Sequence, residues 1–252
     1  MAEMVAPYAT PQADGTLRGQ LDAMDLAGVD KAVMLPIATK PTQFEIILKT
    51  AIQHRDGKVS PRATGRIIPF ASVHPADREV ARHLEMIAAE GIKGLKFHPC
   101  YQNFRLDDPR VFPMFEKIAE LGLVVTTHAG LDLGFRGCMD ACGPKQIATL
   151  MKNVPGLKFV ASHLGGCNGY AAHATDELLE LGAYIDTSAI HRNWNLDEEQ
   201  RLLRSWPKDR ILFATDFPWV HYPEAIKWVK SIRAEEDWEY VFHLNAERLL
   251  GL

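Results

Sequence analysis

The chain lacks most of what would carry a protein out of the cytosol or into a membrane. No run of 18 apolar residues occurs in its 252, so no membrane-spanning helix is expected. The opening residues Met1 to Pro7 have no basic segment followed by an apolar core, so no secretory signal is expected either, and a cytoplasmic location is the default. An excess of basic charge is also missing. Lys and Arg number 28 against 32 Asp and Glu, a net charge of −4, which gives no reason to expect nucleic acid or a membrane surface as partner. Cysteine is scarce, at positions 100, 138, 142 and 167 only. In a chain this size without an export signal these thiols are expected to stay reduced. Cys138 and Cys142 are spaced to share a helix face, but without a second close pair no zinc site is expected of them. Internal repeats and low-complexity linkers are absent too, so residues 1–252 are expected to form one domain.

What is present is an ample core, 47% hydrophobic against 24% charged, and a regular alternation of strand-like and helix-like segments. Helical spacing of Leu17, Leu21, Met24 and Ala27 predicts a helix over 16–27, stopped by Gly28. Strands are predicted at 31–35, 67–73, 94–97, 123–127, 158–162, 183–186 and 210–215. Further helices are predicted at about 42–53, 77–90 and 109–121, from about 144, up to Leu181, and at about 222–235 and 238–250. That is seven strands, each followed by a helix, where a closed barrel of βα units needs eight. The shortfall lies before residue 16. The expectation is a (β/α)8 TIM-type barrel whose first strand is altered, lies upstream of Met1, or is missing, leaving the sheet open.

Four of the predicted strands end on a side chain that can bind a metal or move a proton. Gly94-Leu95-Lys96-Phe97 leads to His98, and Leu123-Val124-Val125-Thr126-Thr127 leads to His128. Lys158-Phe159-Val160-Ala161-Ser162 leads to His163, and Ile211-Leu212-Phe213-Ala214-Thr215 leads to Asp216. Polar groups at the carboxyl ends of successive parallel strands converge on one mouth when the sheet curls into a barrel. Three imidazoles and a carboxylate at one spot make an active site the natural reading. Lys96, on a strand of alternating faces, is expected to point inward and to serve in a structural ion pair. His74, before Pro75, reads as a loop opener.

The blocks Gly94-Leu95-Lys96-Phe97-His98-Pro99, Val125-Thr126-Thr127-His128-Ala129-Gly130, Ala161-Ser162-His163-Leu164-Gly165-Gly166 and Phe213-Ala214-Thr215-Asp216-Phe217-Pro218-Trp219 resemble the amidohydrolase-related proteins. This branch of the amidohydrolase superfamily includes aminocarboxymuconate-semialdehyde and γ-resorcylate decarboxylases, and the closing residues 245–252 are similar to its terminal helix. The resemblance covers about residues 17–252. It implies a distorted (β/α)8 barrel holding one divalent metal, usually zinc, with His128 and Asp216 as ligands and His163 beside the substrate. The family's first strand ends in a His-X-His pair that supplies two more ligands. This chain has no such pair, which makes metal occupancy an open expectation.

With a metal bound, the resemblance implies activated water, Asp216 as general base and acid, and His163 stabilising negative charge on a substrate oxygen. The pocket is expected from strand-end loops carrying His98, Tyr101, Phe104, Phe135, Arg136, His191, Trp194 and Trp219. Arginine beside aromatics suits a planar carboxylate-bearing compound. The expected function is hydrolysis of a C–N or lactone bond in a small carboxylated or cyclic metabolite. The alternatives are a nonoxidative decarboxylase (a lyase of the same family) and a metal-free, binding-only barrel. The partner is a small-molecule substrate, and homo-oligomerisation is left open.

Overall fold

The computed structural model describes residues 11–132, 141–166, 170–188 and 196–252. Its seven strands are β1 (Ala32–Met34), β2 (Ile67–Pro69), β3 (Gly94–Phe97), β4 (Val124–Thr127), β5 (Lys158–Ala161), β6 (Tyr184–Asp186) and β7 (Ile211–Leu212). All pairs are parallel and follow chain order, β1 with β2 and β3 through β7 in one sheet. A bridge between Ala71 and Leu95 joins the two sets. It is made by Ala71 N–H donating to Gly94 O and Lys96 N–H donating to Ala71 O. The result is the predicted parallel α/β barrel wall. Among the described residues no helix is long and apolar enough to cross a membrane.

The helices that face the wall include α1 (Leu17–Ala27), α2 (Phe44–Arg55), α3 (Val80–Ala89), α4 (Phe112–Glu120) and α5 (Pro144–Asn153). They are followed by α6 (Asp176–Glu180), α7 (Leu196–Ser205), α8 (Tyr222–Ile232) and α9 (Asn245–Leu250). Helix α1 begins where the Thr16 hydroxyl accepts from Gly19 N–H and ends at left-handed Gly28.

Strand alternation sorts the side chains into two populations. Leu95, Phe97, Val125, Phe159, Ala161 and Ile185 point outward into the large core shared with the helices. On the other face, Phe70, Val124, Val160 and Leu250 form an apolar floor, packed against Leu35, Tyr184, Leu212 and Leu249. Gly94 sits over that floor, where an added Cβ would come within 2.4 Å of the Phe70 ring and 2.6 Å of Val124 O. The glycine is therefore what lets Phe70 fill the interior. Above the floor the same inward positions turn polar, to Lys96, Thr126, Ser162 and Asp186, all buried.

The wall is uneven. Every residue of β3 and β4 is buried, whereas Val33 on β1 is 36% exposed. Among the described residues β7 and β1 are not hydrogen-bonded neighbours. Helices α1 and α8 pack together there, through Leu21, Met24, Ala63, Ile67 and Tyr222. The Gln20 side-chain amide donates to the Tyr222 hydroxyl across the same contact.

Several expectations need correction. The strand expected over 210–215 pairs only at Ile211–Leu212, because Phe213 N–H turns away to donate to Val241 O. The strand expected over 67–73 narrows to Ile67–Pro69 plus the Ala71 bridge. The closing helix expected over 238–250 is broken into a π-helical turn, Tyr240–Leu244, and α9. The expectation of reduced thiols fails at Cys100, which is disulfide-bonded, while Cys142 is a free, buried thiol.

Candidate active site

His98, His128 and His163 come together at the carboxyl ends of β3, β4 and β5. The first two arrive by continuing the inward alternation of their strands. His163 arrives differently: His163, Leu164 and Gly165 adopt left-handed backbone angles, with φ of 58°, 51° and 71°. Such conformations are costly for His and Leu and persist where the surroundings over-determine them. Gly166 follows at φ +89°, and an added Cβ there would lie 2.8 Å from Gly130 N. The Gly165-Gly166 pair thus lets the turn close against the β4 loop and swing the His163 ring inward.

The three rings form a ladder. Tyr101 stacks on His98 with centroids 3.7 Å apart, and His98 stacks on His128 at 4.3 Å. His128 Nδ1 lies 2.9 Å from His163 Nε2. His163 Nδ1 lies 3.0 Å from Ser188 Oγ and 3.1 Å from Ser188 O. Ser188 Oγ–H donates to Asp186 Oδ1 at 2.5 Å, and the same oxygen accepts from His163 N–H and Ser188 N–H. His98 Nε2 faces Asp132 Oδ2 at 3.5 Å. Two buried ring nitrogens, His98 Nδ1 and His128 Nε2, have no hydrogen-bond partner.

Electrostatics hold two of these rings, His98 and His128, neutral. Burial, reinforced by the nearby Lys96 and His163, pulls His98 down to about 2. Burial, with the neighbouring imidazoles and Lys96 adding to it, holds His128 well below the usual histidine range. Lys96 is itself buried, with its ammonium 3.4 Å from Ser162 Oγ. Burial lowers its pKa, opposed first by Asp186 and then by Asp216. Tyr101 is 44% exposed, and burial together with the Asp132 charge raises its phenol to about 12.

Asp216 stands on the turn after β7 in a left-handed conformation, φ 55°, exposed, and within electrostatic reach of Lys96 and Tyr101. Trp219 is half-buried on that turn, its N–H donating to Asp216 O. Arg136 and His191 lie outside the described residues, as do Phe135 and Trp194. Four groups were not singled out from sequence: Asp132, Asp186, Ser188 and Gln102. The Gln102 amide Nε2 donates to Ala38 O and Val73 O while its Oε1 accepts from His98 N–H. Asp186 and Ser188 carried a signal, since 184, 186 and 188 are alternate positions of one strand and its extension.

The open imidazole donors a metal would find here are two, His98 Nδ1 and His128 Nε2. Among the described residues no three His, Cys, Asp or Glu side chains are grouped to hold an ion. A catalytic metal normally keeps three protein ligands. The described residues therefore do not fit the expected zinc.

The amidohydrolase family model matches residues 8–252. None of the curated proteins matches the chain. Among solved structures, an uncharacterized TIM-barrel protein from Bordetella bronchiseptica is 20% identical, with TM-score 0.75, over 94% of this chain and 83% of that one. A 5-carboxyvanillate decarboxylase from Novosphingobium aromaticivorans, with bound manganese, is 18% identical with TM-score 0.70 over 95% and 82%. A probable 2-pyrone-4,6-dicarboxylic acid hydrolase from Acinetobacter baumannii, with citric acid bound, is 18% identical with TM-score 0.67 over 94% and 89%.

Proposed function

The chain belongs to the amidohydrolase family, and on that premise we propose that it hydrolyses a lactone or C–N bond in a small, planar, carboxylated ring compound. The observation that carries this reading is the open end of the imidazole ladder, His128 Nε2, within electrostatic reach of the buried Lys96, which the exposed carboxylate of Asp216 also reaches. Asp216 takes a proton from the attacking water and returns it to the leaving oxygen or nitrogen. His128 Nε2 accepts a hydrogen bond from that water and orients it. Lys96 adds positive charge to the interior, which favours an anionic substrate and the negative charge that develops on its carbonyl oxygen. His163, whose ring nitrogens both have neighbours within hydrogen-bond distance, is assigned to hold His128 rather than to touch the substrate. Two of the solved relatives act on ring acids by their names, which supports the substrate class.

A second reading, nonoxidative decarboxylation of the same class, is favoured by Tyr101. Its phenol keeps its proton to about 12 and stands half in solvent against His98, placed to protonate a ring carbon. A panel of carboxylated lactones, cyclic amides and hydroxybenzoates separates the two. Acid release followed by pH-stat, lost in Asp216→Asn, is the expected result. Carbon dioxide release, lost in Tyr101→Phe and retained in Asp216→Asn, would overturn hydrolysis in favour of the second reading.

A further inference from the structure

The hydrogen bonds behind His128 have a direction. Ser188 O is a carbonyl and can only accept, so His163 Nδ1 must carry the proton that lies 3.1 Å from it. The Ser188 hydroxyl spends its own proton on Asp186, and so also accepts from His163 Nδ1. In a neutral His163 the remaining nitrogen, Nε2, is then bare. The nitrogen 2.9 Å away, His128 Nδ1, must donate to it, and His128 Nε2 in turn is left bare. That nitrogen is the buried one without a partner.

We propose that Asp186 and Ser188 are positioning residues that set the tautomer of His128 through His163, leaving the His128 Nε2 lone pair as the open end of the relay. Asp186 is buried and its Oδ1 accepts three hydrogen bonds, two from backbone N–H groups that the fold fixes. An acceptor pinned in this way cannot reverse, so every donor upstream of it keeps one orientation. Free neutral histidine side chains favour protonation at Nε2. The relay imposes the opposite tautomer on His128, the one in which Nε2 can accept from water or substrate. The use of that lone pair rests on the proposed function, but the tautomer itself does not.

The test is two-bond proton–nitrogen correlation of the imidazoles in the 15N-labelled chain at neutral pH. Wild type should show His163 and His128 both protonated at Nδ1 and bare at Nε2. Asp186→Ala removes the acceptor shared by the Ser188 hydroxyl and the two backbone N–H groups, so Ser188 is no longer held against His163, and the ratio of Nδ1–H to Nε2–H forms of His128 should fall by about tenfold, the effect of one lost charge-assisted hydrogen bond. His163→Phe should return His128 to the Nε2–H form. A His128 protonated at Nε2 in wild type, or a His163 protonated on both nitrogens, would overturn the relay even if the variants fail to fold. So would a folded Asp186→Ala with unchanged His128 signals. Hydrolysis failing while these signals hold would count against the proposed function alone.

Discussion

The arc from β3 to β6 and the side where β7 approaches β1 are made from the same parallel strands, yet they are covered differently. In the first arc β4, β5 and β6 pair on both sides, β3 pairs with β4 and is bridged at Ala71 on its other side, and β3 and β4 are wholly buried. In the second, β7 pairs over two residues, β1 exposes Val33, and helices rather than strand hydrogen bonds draw the two together. All three histidines, Lys96, Asp186 and Ser188 stand on the first arc, while Asp216 alone stands on the second. Groups that must be held to fractions of an ångström sit where the backbone is fixed from both sides, and the exposed carboxylate sits where it is not.

The comparison can be broken most decisively by core truncation. Phe97→Ala removes a fully buried ring packed against Phe104 and Phe115, and should cost about 3–5 kcal/mol in urea unfolding. A loss below about 1 kcal/mol would mean that the arc is loosely packed. Gly94→Ala forces a methyl group against the Phe70 ring and Val124 O, and should cost about 1–3 kcal/mol by the same measurement. A neutral or stabilising result would show that the floor has room.

The pH dependence sharpens the contrast further. His98 is held down to about 2, so as pH falls below the ordinary histidine value of 6.5 the unfolded chain takes up a proton that the folded chain refuses. The stability is present above about 6.5 and is lost on the way toward about 2. His98→Gln should therefore flatten the stability slope between about pH 6 and 5 by about 1 kcal/mol per pH unit. An unchanged slope would mean that His98 titrates normally. Smallest of all, Val33→Ala on the β1 edge should change stability by no more than about 0.5 kcal/mol. A cost approaching that of Phe97→Ala would erase the difference between the two sides.

Much of this was legible from residue order. Strict alternation placed Lys96, His98 and His128 inside, and the resemblance over four blocks identified the family. His163 was legible as a strand-end residue, but its reach depends on a left-handed turn that only Gly165 and Gly166 hinted at. Asp186 and Ser188 were passed over because a lone aspartate ending a short strand looks like any surface turn until its partners are known. The length of β7 could not be read, because Phe213 is drawn off by Val241, a residue distant in sequence. Such competition between long-range acceptors leaves no local trace.

Gln102 has a consequence for how this barrel could change over evolutionary time. Barrels of this kind diversify by exchanging one loop at a time above a constant wall. Here one amide side chain ties together the segments that follow β1, β2 and β3, at Ala38, Val73 and His98. A lineage that rewrites any one of the three without keeping its acceptor or donor in place strands a buried amide and loosens the other two. Those segments are therefore inherited as a linked set, and innovation in this chain is steered toward the loops that Gln102 does not touch.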